Sequence, residues 1–167
     1  MEPKFIVDNN VGKLAKWLRM MGYDASFFDE LDDGRMVKIA LSQGRVVITK
    51  DSEFMKRRAI TSGRIKAIRV TGDNPKLQML AVISALKLNH EYRPFTRCLE
   101  CNEELMPKDR GEVAEAVPAR VYEVQNQYME CPSCQRIYWR GTHWQAMSKK
   151  LEEFGNSNSQ VLKGEVR

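Results

Sequence analysis

The feature that most limits how this chain can fold is a pair of cysteine knuckles, Cys98-Leu99-Glu100-Cys101 and Cys131-Pro132-Ser133-Cys134. Two residues between the cysteines of a knuckle let both thiolates turn toward one tetrahedral ion, and a second knuckle completes the shell. A shell closed by four thiolates builds structure and does no chemistry of its own. The chain has 4 cysteines in all, so everything before Cys98 must fold by burying an apolar core. The region around the knuckles can instead draw folding free energy from the metal. The competing use of such pairs is two disulfides in an exported protein. The opening Met1-Glu2-Pro3-Lys4-Phe5 lacks the charged-then-apolar pattern of a signal peptide, and no apolar run is long enough to cross a bilayer. The expectation is therefore a cytoplasmic protein without a membrane partner, holding structural zinc on Cys98, Cys101, Cys131 and Cys134.

With 167 residues, 43% of them hydrophobic, the chain has room for one well-cored domain and a small second one. Residues 1–90 read as an α/β unit and residues 91–154 as the cysteine module with a C-terminal helix. Residues 155–167 read as a polar, disordered tail. In the first unit, short apolar runs alternate with helical periodicity. Strands are expected at 4–7, 25–28, 45–49 and 65–70, with helices at 11–21, 34–43, 53–61 and 75–88. Gly22 and Gly44 end the first two helices, and Asn74-Pro75 is a strong helix start, cap followed by proline at the first position. Alternation on this scale implies a mostly parallel sheet with helices on both faces. In the second unit, strands are expected at 120–124, 128–130 and 136–139. Thr142 caps a last helix whose apolar face carries Trp144, Met147, Leu151 and Phe154.

Asp8, Asp51 and Asp73 each lie at or just past the end of an expected parallel strand, the edge at which open α/β sheets bind ligands. If the first and third strands are neighbours, Asp8 and Asp51 share one crevice, and Asp32 and Asp33 at the second helix can reach in from the side. Clustered carboxylates stay ionised together when a cation sits between them. Magnesium or manganese suits such a site, and can assist hydrolysis of a phosphodiester. Aspartate is also a favoured helix cap, and each of these residues precedes a helix. Capping alone does not require one at every such turn.

A net charge of +5 favours a polyanionic partner. Lys13, Lys16 and Arg19 follow Asp8 on the first helix, around Trp17, and Lys50 adjoins Asp51. These cations can hold phosphates, although Trp17 suits a core position better. Past the second knuckle, Arg136, Trp139, Arg140 and His143 interleave charge with rings. That composition fits single-stranded or looped RNA. Packing of the ribbon on the first domain is the other reading, favoured for Trp144. His143 is not needed as a metal ligand once four thiolates fill the shell.

Asp8 to Asp24, Thr49-Lys50-Asp51, the paired knuckles and the run Tyr138 to Trp144 together resemble the Mut-seven-C RNase domain family, over roughly residues 4–147. The resemblance implies a PIN-like three-layer sandwich, a small C-terminal zinc ribbon and a divalent-metal ribonuclease activity. By position, Asp8 matches the first acidic ligand and Asp51 the acid of the threonine-x-aspartate motif. Asp32 or Asp33 matches the acid opening the second helix, and Asp73 the acid after the fourth strand. The chain departs from the pattern at Lys50, where arginine is usual, and at Asn9-Asn10, where the family often has an acid.

The leading expectation is thus an endoribonuclease with magnesium or manganese on Asp8 and Asp51. Asp73, Asp32 and Asp33 would complete or orient the site, and products would carry 5′-phosphate and 3′-hydroxyl ends. A non-catalytic RNA-binding protein that keeps the fold is the alternative. A phosphoacceptor receiver domain ranks lower, since Asn9 stands where a paired acid belongs.

Overall fold

A computed structural model describes residues 1–164 of the chain, with side chains to residue 157. Four parallel strands, β1 (Lys4–Asp8), β2 (Ala25–Phe28), β3 (Arg45–Thr49) and β4 (Ala67–Arg69), form a sheet in the order β2-β1-β3-β4. The chain leaves β1 toward β2 and returns to the other side of β1 for β3. Strand order therefore reverses between β1 and β3, where a parallel sheet opens a crevice.

Alternation along the strands divides the core between the two faces of the sheet. Phe5, Val7, Val46 and Ile48 meet Leu14, Ala15 and Leu18 of α1 (Lys13–Met20), together with Met79, Val82 and Ile83 of α4 (Pro75–Leu86). Ile6, Val47 and Phe28 face the other way, onto Met36 and Ala40 of α2 (Asp33–Gln43) and onto Phe54 and Ile65. Local signals behave as their chemistry predicts. Asn74 Oδ1 accepts from the Lys76 N–H at 2.9 Å, Asp32 Oδ1 accepts from the Arg35 N–H at 3.1 Å, and Gly44 closes α2 with φ 63°. Gly22 is needed twice over, for its φ of 94° and because a Cβ there would strike the Arg93 carbonyl oxygen.

The helix expected at 53–61 is broken in two, a 3₁₀ turn at Phe54–Lys56 and α3 (Arg58–Thr61). Arg57 between them is extended, with its guanidinium on Asp33 at 2.7 Å and over the Phe54 ring.

The second unit is a three-stranded antiparallel sheet, β5 (Met106–Lys108), β6 (Tyr128–Glu130) and β7 (Ile137–Tyr138), in that order. The strand expected at 120–124 is instead α5 (Ala119–Val124). Its β-branched residues invite a strand, but Pro118 starts a helix that sets Val121 and Tyr122 against Val113 and Tyr128. β5 carries Pro107 and gave no sequence signal, in keeping with an edge strand.

The last helix, α6 (Thr142–Gly164), returns to the first unit. Leu151 and Phe154 join the α1–α4 core, and the Phe154 ring lies 5.2 Å from that of Trp17. Helix continues through residues 155–164, where the sequence reading expects a disordered tail; residues 165–167 lie outside the described residues. Among the described residues, no helix is long and apolar enough to cross a membrane.

Candidate active site and metal centre

β1 and β3 run side by side with Val7 opposite Ile48, which brings Asp8 and Thr49 together at the ends of their strands. The Thr49 hydroxyl, fully buried, donates to Asp8 Oδ2 at 2.6 Å. The same Oδ2 accepts from the Asn10 amide at 2.9 Å, and Oδ1 accepts from the Asn9 N–H at 2.8 Å. Asn10 also accepts from the Lys50 N–H at 3.1 Å, and Thr49 Oγ1 accepts from the Asp51 N–H at 3.0 Å. One network thus ties the Asp8 carboxylate to the backbone that carries Asp51. Asp8 is only 8% exposed. These three hydrogen bonds hold the buried side chain in place.

The other expected acids stand around this pair without closing on it. Asp51 accepts from the Glu53 N–H at 2.7 Å, so it caps the turn that follows β3. Asp73 is 97% exposed and pairs with Lys50 at 2.7 Å, a contact that lowers its pKa. Asp32 caps α2, and Asp33 pairs with Arg57. Asp8, Asp51 and Asp73 come to one edge of the sheet. Among the described residues, however, only the cysteines form a group of three or more metal-binding side chains with ligand atoms within 4.8 Å.

Asp8 and Asp51 each keep acceptor capacity beyond these contacts. An ionised carboxylate offers about four acceptor sites, and three hydrogen bonds to Asp8 and one to Asp51 leave sites over. Magnesium is commonly held by one or two carboxylates, with water and substrate phosphate filling the rest.

The expected phosphate-binding cations divide by environment. Lys13 lies over the Trp17 ring at 5.4 Å, and Lys16 pairs with Glu100 at 2.7 Å. Arg19 is 5% exposed, and burial lowers its pKa. Its Nε donates to the Ala25 carbonyl and its Nη1 to those of Leu99 and Glu100. Its guanidinium is committed to backbone rather than turned toward the crevice. Arg136, Arg140 and His143 are exposed on the ribbon side, and Trp139 is half-buried against the ribbon core.

Cys98, Cys101, Cys131 and Cys134 bring their sulfurs together. Cys98 Sγ and Cys134 Sγ are 3.8 Å apart, too far for a disulfide. That spacing matches the edge of a tetrahedron of ligands about 2.3 Å from a central zinc. The knuckles repeat each other. In each, the N–H of the second cysteine points at the first sulfur, and the next residue, Asn102 or Gln135, is left-handed with φ 68° or 60°. Tyr138 Oη accepts from the Leu99 N–H at 3.2 Å, which leaves its own proton for Cys98 Sγ at 3.1 Å. Burial pushes the Cys98 thiol up, but that hydrogen bond and those from backbone N–H groups bring it down to about 7. Cys101 is pushed up to about 12, first by its hydrogen bond with Cys134. A dication at the centre removes this competition, since every thiolate then has a positive partner. The donor set therefore fits a metal such as zinc.

Thr49, Asn10 and Tyr138 were not picked out as site residues from the sequence. Asn10 and Thr49 lie inside the Asp8–Asp24 and Thr49-Lys50-Asp51 motifs, whereas the contact of the Tyr138 hydroxyl with Cys98 has no sequence signature.

A family model described as Mut7-C RNAse domain matches residues 3–151. No curated protein and no solved structure matches the chain.

Proposed function

The chain belongs to the Mut7-C RNAse domain family, and from that membership we propose that it is a metal-dependent endoribonuclease whose reaction centre is the Asp8–Asp51 crevice. The observation that carries this reading is the Thr49–Asp8 hydrogen bond at the point where strand order reverses. It buries and orients a carboxylate at the edge where such sheets bind ligands.

Magnesium or manganese, when bound, supplies Lewis acidity toward the phosphodiester and a more acidic water. The protein's part is to fix the oxygens. Thr49 and Asn10 hold Asp8 in one rotamer, and the Asp51 cap holds the second carboxylate. Lys50 lies beside the crevice and can exchange its exposed contact with Asp73 for a substrate phosphate, since an exposed ion pair contributes only about 0–1 kcal/mol. Asp32 and Asp33 have the weaker claim, because their contacts are local to α2 and Arg57. Cleavage would leave 5′-phosphate and 3′-hydroxyl ends. In this reading residues 1–90 form a PIN-like nuclease unit, and residues 91–154 a zinc ribbon that contacts RNA through Arg136, Trp139, Arg140 and His143.

A non-catalytic RNA-binding protein is the second reading. The absence of a three-acid cluster among the described residues favours it. Incubation with mixed structured RNAs, with and without manganese, separates the two. The nuclease reading expects manganese-dependent products from the wild type and none from Asp51→Asn. Binding without products in both would support the second.

A further inference from the structure

A cavity of about 1320 Å³ opens between β6–β7 of the ribbon, the linker before Cys98 and the start of α6. It shares no lining residue with the Asp8–Asp51 crevice. Phe95, Trp139 and Trp144 line it, with the Phe95 and Trp144 rings 5.1 Å apart and tilted 44°. Arg136 and Arg140 also line it. Both are exposed; among the described residues Arg136 makes no ion pair within 4 Å but feels the Glu100 carboxylate, which also lines the cavity, and Arg140 lies 5.3 Å from the centre of the Trp144 ring. Rings beside exposed guanidinium groups are what unpaired bases and their phosphates require.

The backbone of the lining carries one further mark. Phe95 has φ 62°, a conformation that a bulky residue adopts only under constraint. The constraint is visible: the Phe95 N–H donates to the Met20 carbonyl at 3.1 Å, and the Arg93 N–H to that of Met21 at 3.0 Å. Imposed strain of this kind gathers at ligand clamps.

A smaller cavity, about 460 Å³, runs along α1 past Gly12, Lys13, Lys16 and Phe27 to Glu100, which lines both cavities. From Gly12 it follows about 10 Å of helix. Phe27 is 45% exposed there, and its ring fills the space beside Gly12 that a Cβ would need.

We propose that the ribbon–α6 cleft is a second RNA subsite, which stacks unpaired bases among Phe95, Trp139 and Trp144 and takes their phosphates on Arg136 and Arg140. The Lys13–Phe27 groove joins it to the crevice at Asp8. The substrate class is then RNA with a single-stranded extension beside the cut. This rests on the reading of the protein as an RNA-cleaving enzyme, but its test does not need cleavage.

The zinc-loaded full chain is titrated into labelled oligouridylate, oligoadenylate and a blunt RNA duplex, at fixed salt and without magnesium or manganese. The subsite predicts that both single strands bind roughly ten-fold or more tighter than the duplex and quench tryptophan fluorescence. It also predicts that Arg136→Ala/Arg140→Ala weakens single-strand binding by roughly ten-fold with an unchanged unfolding curve. Equal affinity for the duplex, or undiminished binding by the double variant, would overturn the subsite. So would a double variant that loses self-association instead, since the cleft would then be a face between two copies. Loss of the catalytic assignment through an active Asp8→Asn enzyme would leave this binding result standing.

Discussion

Arg19, in the last turn of α1, donates from Nη1 to the carbonyl oxygen of Leu99 inside the first cysteine knuckle, at 2.7 Å. The same guanidinium reaches the Glu100 carbonyl at 3.2 Å and that of Ala25 at 2.8 Å. Asn102 completes the joint. Its Oδ1 accepts from the Ala25 N–H at 2.9 Å and its Nδ2 donates to Asp24 at 2.7 Å. The knuckle is therefore built onto the edge strand of the parallel sheet.

Arg19→Ala should lower the free energy of unfolding by about 3 kcal/mol, because it removes charge-assisted hydrogen bonds and leaves carbonyls without a donor. Urea unfolding followed by circular dichroism measures this. A loss within about 0.5 kcal/mol would mean the joint contributes little.

Removing the metal should loosen the sheet as well as the ribbon. Metal analysis should find one zinc per chain, lost in Cys131→Ser. Hydrogen exchange at the Ala25 amide should accelerate on chelation, because its acceptor Asn102 directly follows Cys101, one of the four clustered cysteines that could hold the metal. Protection at Ala25 that survives chelation would separate the two units.

Acid should act through Asp24. Burial raises its pKa, but Arg45, donating at 2.7 Å and 3.2 Å, and Asn102 outweigh burial and hold it below the ordinary 3.8. A carboxylate with a depressed folded-state pKa stabilises fully above its unfolded value, and that stability is lost as pH falls through the folded value. Between pH 5 and the region below 3.8, the wild type should therefore lose stability more steeply than Asp24→Asn. Parallel curves would remove Asp24 from the account.

Thr49→Val keeps shape and removes the hydroxyl that donates to Asp8. Cleavage should fall by about 10–100-fold, the usual effect of losing a group that orients a metal ligand. RNA affinity measured without divalent metal should not change. A weakened affinity with intact turnover would place Thr49 in binding instead.

Much of this was legible in the sequence because its signals are local. Asn74-Pro75, Gly22 and Gly44 mark helix ends by backbone chemistry alone, and the spacing of the cysteines fixes their meeting. The strand-end positions of Asp8 and Asp51 followed from periodicity, and β1 and β3 run side by side. What was not legible depends on contacts distant in the chain. Residues 119–124 became a helix because Val113 and Tyr128 receive one face of it. The burial of Arg19 depends on the path of residues 99 and 100, and no local pattern distinguishes it from a solvent-facing cation. The seating of α6 on α1 likewise required Phe154 to find Trp17 across most of the chain.

The central claim is that Asp8, oriented by Thr49, is the carboxylate on which RNA cleavage depends. The direct measurement is the single-turnover cleavage rate of Asp8→Asn against wild type in manganese, on one structured RNA, with both proteins shown to unfold alike. The account predicts loss of cleavage in the variant and 5′-phosphate ends on the wild-type products. A wild-type rate in the Asp8→Asn protein would contradict it.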